Sequence, residues 1–306
     1  MRFRVTVPAT VGNTGSAFDA LGVALGFSNE LVFDDAKPGD IVVKGEGAEA
    51  LRKGEPNLVR EALSRFEQAT GKRVPPCGMT LQNHIPFGRG LGSSAAAIVG
   101  GLLAADTLTN AGLSRMQLLQ LAVPLEGHPD NVAPALYGGA ALTVLNEGRL
   151  GGSITVVPIH LPAGWKAAVF IPEFVVVPTR EARALLPREV PLVDAVFNHS
   201  RAALLVAAMT QERPDLLKVA MQDRLHQSYR SKLFPAMDAL IQTALEGGAW
   251  GACLAGSGPS ILAISPQAKV EGIASALKDK AHSLKIPGRS LALEFSATGA
   301  RVEPLI

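Results

Sequence analysis

Apolar and polar residues alternate from the start of the chain. Met1-Arg2-Phe3-Arg4-Val5-Thr6-Val7-Pro8 has an apolar side chain at every second position, the period of a half-buried strand. A turn-rich stretch from Pro8 to Gly15 follows, then short apolar segments at Ala20 to Leu25, Leu31 to Phe33 and Ile41 to Val43. Between Asn57 and Thr70 the period changes. Leu58, Val59, Ala62, Leu63, Phe66 and Ala69 recur at helical spacing, and Gly71 is placed to stop the helix. Met79-Thr80-Leu81 returns to alternation and feeds a glycine-rich loop, after which Ala95 to Leu108 reads as an apolar helix. Ser114-Arg115-Met116-Gln117 has the form of a capping box for a helix through Leu118, Leu119 and Leu121, which Pro124 is expected to kink or end. Gly138 to Leu145 reads as a strand and Glu147 to Gly152 as a turn, which places a boundary between domains 1–152 and 153–306. Beyond it the pattern predicts strands at 154–159, 166–171, 249–254, 260–264 and 290–295, and helices at 180–186, 191–210, 214–228, 235–246 and 267–282. No repeat of 20–50 residues organises them, so two mixed layers of helix and sheet are expected rather than a solenoid.

Composition narrows the function classes. With 306 residues and 47% hydrophobic content the chain can bury a sizeable core, and 18% charged residues with a net charge of +2 provide no basic field for nucleic acid. The first residues lack the apolar stretch of a signal peptide, and Gly, Pro or charge interrupts each apolar run, so no membrane partner is expected. Cys77 and Cys253 have no metal-ligand or disulfide spacing and read as core residues. These features describe a soluble, cytoplasmic protein.

The candidate chemistry lies in Pro86-Phe87-Gly88-Arg89-Gly90-Leu91-Gly92-Ser93-Ser94-Ala95-Ala96. Glycines let successive backbone N–H groups approach an anion, and the helix that follows adds its positive end, a combination suited to a polyphosphate. A tight strand-to-helix turn without a ligand is the structural alternative. The loop is not a Walker A motif, since Ser93 rather than Lys follows Gly92. Nor is it the GxGxxG dinucleotide fingerprint, because its glycines fall at every second position.

The company of this loop carries a resemblance. Val7 to Asp19, the loop at 86–96 and Gly256-Ser257-Gly258-Pro259-Ser260 resemble the three signature segments of the GHMP kinases. Glu126-Gly127-His128-Pro129-Asp130-Asn131-Val132-Ala133-Pro134-Ala135 and Asp223-Arg224-Leu225-His226-Gln227-Ser228-Tyr229-Arg230 resemble the homoserine kinases among them. The resemblance implies an α+β fold: an N-terminal, ATP-binding domain related to ribosomal protein S5 domain 2, and a ferredoxin-like C-terminal domain. It further implies a cleft between them, ATP and Mg²⁺ as cofactors, phosphorylation of the L-homoserine hydroxyl, and a homodimer.

Residue roles follow position by position. By resemblance Ser94 and Glu126 hold Mg²⁺, the backbone of 88–96 holds the phosphates, and Asn57 touches the adenine side, although as an N-cap Asn57 has a structural reason of its own. Asn13, Asp19, His128 and Asp130 are implied to contact the amino and hydroxyl end of the substrate, and Arg183 and Arg224 its carboxylate. Read alone, Arg224 would be a solvated charge on a helix and His128 a turn residue. Asp130 and Asn131 are assigned to orient the hydroxyl. Gly256 closes the cleft against the phosphate loop. Where mevalonate kinases carry an aspartate base, Pro178-Thr179-Arg180 has Thr179, so the hydroxyl is expected to lose its proton late. One departure stands out: Ser16-Ala17 replaces the family's Pro-Gly, which alters the turn that aims Asp19. A kinase for another alcohol and a non-catalytic metabolite-binding protein are the competing readings.

Overall fold

A computed structural model describes residues 1–54, 56–148, 150, 152–173 and 178–305. The first half comprises β1 (Arg2–Val11), β2 (Leu21–Asp34), β3 (Ile41–Gly45), α1 (Ala48–Arg52), α2 (Leu58–Thr70), β4 (Gly78–Asn83), α3 (Ser93–Thr109), α4 (Arg115–Glu126), α5 (Pro129–Tyr137) and β5 (Ala140–Leu145). The second half runs β6 (Ile154–Ile159), β7 (Trp165–Pro172), α6 (Thr179–Ala184), α7 (Leu192–Thr210), a 3₁₀ turn at Pro214–Leu216, α8 (Leu217–Ala220), α9 (Gln227–Arg230), α10 (Met237–Glu246), β8 (Gly251–Leu254), β9 (Ile261–Pro266), α11 (Val270–Ser283), β10 (Gly288–Glu294) and β11 (Arg301–Pro304).

Two sheets organise these elements. The larger has the order β11-β1-β2-β4-β3, with β5 pairing the start of β2 and β6 pairing β5; the smaller has the order β10-β7-β9-β8. Strands β6 and β11 therefore belong to the first sheet although both lie beyond residue 152, so the sheets do not divide where the turn at 147–152 suggested. Val5, Val23, Phe33, Ile98 and Leu102 belong to the main core, while Phe170, Leu240, Ile261 and Leu277 form a second one under α10 and α11. Each such side chain contributes about 1.5–3 kcal/mol by leaving water.

Several expectations are corrected here. The segments at 20–25 and 31–33 are one 14-residue strand, β2. Its pairing with β1 shifts register between Pro8 and Thr10, where Leu25, Gly26 and Phe27 of β2 face the single residue Ala9, so the break at 26–30 is a bulge in β2 itself, not a turn. Strand β1 alternates only at its start and is buried throughout from Val5 to Val11, because α3 and α5 pack on it. Helix α4 passes through Pro124 and ends at Gly127 in the left-handed conformation; α5, unforeseen, starts two residues later with Pro129 in its first turn. The helix expected over 214–228 is broken into short pieces, and Arg224 lies on the irregular stretch before α9. Strand β11 was also unforeseen. Among the described residues α7 alone has the length and apolar composition to cross a bilayer, contrary to the reading that no run did. Its polar side chains are nonetheless tied into the protein: Asn198 donates to Ser16 O at 2.7 Å and accepts from Arg224 N at 2.9 Å.

Candidate active site

The glycine-serine loop joins β4 to α3, and its conformation depends on the absence of side chains at two positions. Gly92 caps α3 with φ 70°, and a Cβ there would lie 2.0 Å from Thr10 Oγ1. Gly90, at φ 74°, would place a Cβ 2.0 Å from the carbonyl oxygen of Ala255, just before the Gly256 turn. The loop is thus pressed between β1 and the segment after β8. No side chain caps α3, so its first-turn N–H groups remain available to an anion. Arg89 reaches to the other sheet, donating from Nε to Pro172 O at 2.5 Å and from Nη2 to Glu173 O.

Two concave spaces meet at this loop. One, of about 240 Å³, is mainly apolar and lined by Leu31, Leu51, Asn57, Val59, Leu81 and Phe87. The other, of about 260 Å³, is lined by residues 86–94 together with Asn13, Glu126, His128, Asn131, Thr179, Arg183, Arg230, Gly256 and Ser257. Phe87, Ser93 and Ser94 border both. Asn57 accepts from Val59 N at 3.1 Å and Arg60 N at 3.4 Å, so it is the N-cap of α2 as well as a wall of the apolar space.

Buried ions form the floor of the cleft. Ser94 Oγ donates to Glu126 Oε1 at 2.7 Å, and the Glu126 side chain is 6% exposed, which pushes its pKa up through burial. His128 Nδ1 lies 2.6 Å from Asp130 Oδ1. Burial opposes a charge on His128, but Asp130 and Glu126 outweigh it and the ring's pKa is pushed up to about 9. Asp130 is fully buried; His128 and the N–H of Asn13, 2.7 Å from Oδ2, overcome that burial and hold its pKa below the usual carboxylate range. The pair is imidazolium and carboxylate at neutral pH. Asn131 Oδ1 accepts from Thr10 Oγ1 at 2.9 Å and Gly12 N at 3.0 Å, and among the described residues its Nδ2, beside the cleft, has no partner.

The far end of the cleft carries a separate ion pair. Arg183 on α6 grips Asp19 with both nitrogens, at 2.9 and 2.5 Å, and Asp19 N donates to Asn13 Oδ1 at 2.8 Å. Asn13 and Asp19 both sit at positive φ, 56° and 54°, so the Asn13–Asp19 turn is specifically shaped.

Two sequence expectations change and one residue is added. Asp130 is not among the residues that line the cleft but lies just beneath His128, with one oxygen bonded to His128 and the other to Asn13 N, so it holds both in place. Arg224 does not line it either: its Nη1 donates to Asp194 at 2.9 Å and its guanidinium lies 3.9 Å over the Phe197 ring. Besides Arg183 and the loop's own Arg89, the cleft is lined by Arg230, at the end of the same run, where sequence reasoning passed it over. Its signal was spacing: Asp223 accepts the N–H groups of Leu225, His226 and Gln227, and the turn so capped starts α9 with Arg230 facing inward. Arg230 is 2% exposed and donates from Nη1 to Gly256 O at 2.9 Å. Burial and the charge of Arg183 lower its pKa to about 10, which still leaves it protonated at neutral pH.

A polyphosphate loop at a helix N-terminus, set in a cleft between two such sheets, defines the GHMP kinase class. Family models agree: "GHMP kinases N terminal domain" matches residues 57–139 and "GHMP kinases C terminal" matches 204–283. The chain is 40% identical to a homoserine kinase of Desulfitobacterium hafniense, covering 98% of this chain and 99% of that one. It is 41% identical to one from Synechocystis sp., covering 99% of each. The crystal structure of homoserine kinase from Cytophaga hutchinsonii superposes with a TM-score of 0.85 at 31% identity, over 98% of this chain and 97% of that one. The chain belongs to the homoserine kinase family.

Proposed function

We propose that this protein transfers the γ-phosphoryl group of ATP to the side-chain hydroxyl of L-homoserine, giving ADP and O-phospho-L-homoserine. The observation that carries the reading is a zwitterion-matched cleft: Arg183 and Arg230 line the same space as the glycine-serine loop, and Asp19 is paired to Arg183 beside it. The Asp19–Arg183 pair resembles a stand-in for the substrate. A zwitterion can exchange that one contact for two, its ammonium on Asp19 and its carboxylate on Arg183 and Arg230, for which planar guanidinium forks are suited. A sugar carries neither charge, and mevalonate, with a carboxylate but no ammonium, can make only one half of that exchange.

Adenine fits the apolar space beside Asn57 and Leu81, and the triphosphate then runs past Phe87 and Ser94 into the cleft. Ser94 and Glu126 would hold Mg²⁺. A hydroxyl and a buried carboxylate 2.7 Å apart are hard oxygen donors, and two protein ligands leave room for phosphate oxygens and water. When bound, the ion neutralises charge on the transferring group. The hydroxyl is oriented by the amide groups of Asn13 and Asn131, with protonated His128 adding positive charge beside them. In the transfer, the bond from the γ-phosphorus to the bridging oxygen breaks as the bond to the substrate oxygen forms, and the hydroxyl proton leaves last, to an oxygen of the transferred phosphoryl group or to water. A loose transition state requires little activation of the nucleophile, so Thr179 can occupy the place of an aspartate base. A cytoplasmic, homodimeric enzyme fits this reading.

An ADP-release assay over L-homoserine, mevalonate and galactose tests it. Turnover is expected with L-homoserine; turnover with another alcohol and none with L-homoserine refutes the substrate assignment. Sedimentation velocity checks the dimer.

A further inference from the structure

His226 occupies a buried node between the first glycine turn and the arginine of the cleft. Its ring is fully buried, and Nε2 lies 2.7 Å from the backbone oxygen of Gly15. A carbonyl only accepts, so Nε2 carries the proton. Burial lowers the pKa of the ring against the opposing pull of Asp223, 3.7 Å away, and favours the neutral form. In that tautomer Nδ1 is an acceptor, and it faces Arg230 Nη1 at 3.2 Å. Phe18, the neighbour of Asp19, stacks on the ring with centroids 5.3 Å apart.

Arg230 needs such a partner. Its Nη1 has two acceptors, Gly256 O and His226 Nδ1, while its buried Nε has none among the described residues. The charge of Arg183 repels it across the cleft. A cationic histidine at 226 would add a third positive charge; a neutral one with a lone pair toward Nη1 anchors the guanidinium instead.

We propose that His226 is a positioning residue for substrate recognition: as the Nε2–H tautomer it fixes the guanidinium of Arg230 and thereby sets selectivity for an alcohol bearing an α-carboxylate. The inference rests on the reading above that Arg230 meets that carboxylate.

Two substitutions separate its two hydrogen bonds. His226→Gln keeps a donor toward Gly15 O but removes the acceptor at the Nδ1 position, whereas His226→Asn keeps a carbonyl oxygen there. The measurements are KM for L-homoserine, KM for ATP, and the inhibition constant of 3-aminopropan-1-ol, the same skeleton without the carboxylate. His226→Gln is expected to raise KM for L-homoserine about tenfold or more, the scale of one hydrogen bond to a charged group. The inhibition constant, KM for ATP and kcat should change less than about twofold, a margin well inside that effect. His226→Asn should recover most of the loss, and Arg230→Met should reproduce it. If Arg230→Met leaves the ratio of the two constants unchanged, the carboxylate reading fails and the proposal with it. If Arg230→Met abolishes the discrimination while His226→Gln preserves it, or weakens both ligands equally, the role of His226 alone is refuted. Should His226→Gln not fold, His226→Asn decides: discrimination retained supports the proposal, and discrimination lost overturns it.

Discussion

Replacing Asp130 with Asn tests the buried ion pair at the floor of the cleft. The wild-type carboxylate accepts from His128 Nδ1 at 2.6 Å and from Asn13 N at 2.7 Å, and the side chain is fully buried. An asparagine can satisfy both neighbours only by turning its oxygen to Asn13 and its NH₂ to His128, which then must present a lone pair and become neutral. The interval between the ordinary 6.5 of histidine and the value of about 9 here corresponds to about 3 kcal/mol of preference for the imidazolium. The sign follows from proton binding. Between these two pH values the native wild-type protein holds a proton that the unfolded chain has released, so stability present below pH 6.5 is lost as pH rises through about 9. Asp130→Asn should remove that dependence, because a neutral His128 gives folded and unfolded states similar proton counts there. Urea denaturation at half-unit pH steps from 6 to 10 measures the slope, and the histidine NMR titration, with His128 assigned by its loss in His128→Gln, measures the pKa directly. A wild-type His128 that titrates near 6.5, or an Asp130→Asn protein with the same stability slope as wild type, would refute the reasoning.

Other expectations are more local. Glu126→Gln should lower turnover by about 100-fold or more, the scale of a lost charge-stabilising group, whereas Thr179→Ala should lower it only modestly; steady-state kinetics at saturating ATP compares the two. Gly90→Ala forces a Cβ within 2.0 Å of the Ala255 carbonyl at a positive φ, so a loss of about 1–3 kcal/mol and a raised KM for ATP are expected in thermal melts and kinetics. Arg224→Met should shift stability by less than about 1 kcal/mol and leave KM for L-homoserine near wild type, because its partner is Asp194 at the surface. A KM increase comparable to that of Arg230→Met would return Arg224 to the site.

Much of the site was legible before any coordinates. Residues 86–94, Glu126, His128, Asn13, Thr179 and Arg183 line one cleft, with Asp19 paired to Arg183 beside it, and the capping box at Ser114 is formed, with Gln117 N donating to Ser114 Oγ at 3.3 Å and Gln117 Oε1 accepting from Ser114 N at 2.9 Å. The loop and the cap were readable from local chemistry, since glycines permit close backbone approach and caps act within one turn, whereas the other side chains were readable only through the family resemblance of the runs that hold them. Arg224 and Arg230 show where that stops. Both lie in one eight-residue run, and choosing between them requires knowing which way the chain turns after Asp223. Asp130 shows it again, since its type announces a charge but not that two neighbours consume both oxygens.

By itself, then, the sequence determined the phosphate loop, the caps of α2 and α4, and the family, all of them properties of contiguous residues. The tertiary structure alone decided that β11, from the last residues, pairs with β1, and that β6 joins the first sheet. It also decided which arginine faces the cleft and which protonation state His128 and His226 adopt. Strand pairing, burial and charge coupling act between residues more than a hundred positions apart, as Asn13 and Asp130 do, and no local periodicity records such distances.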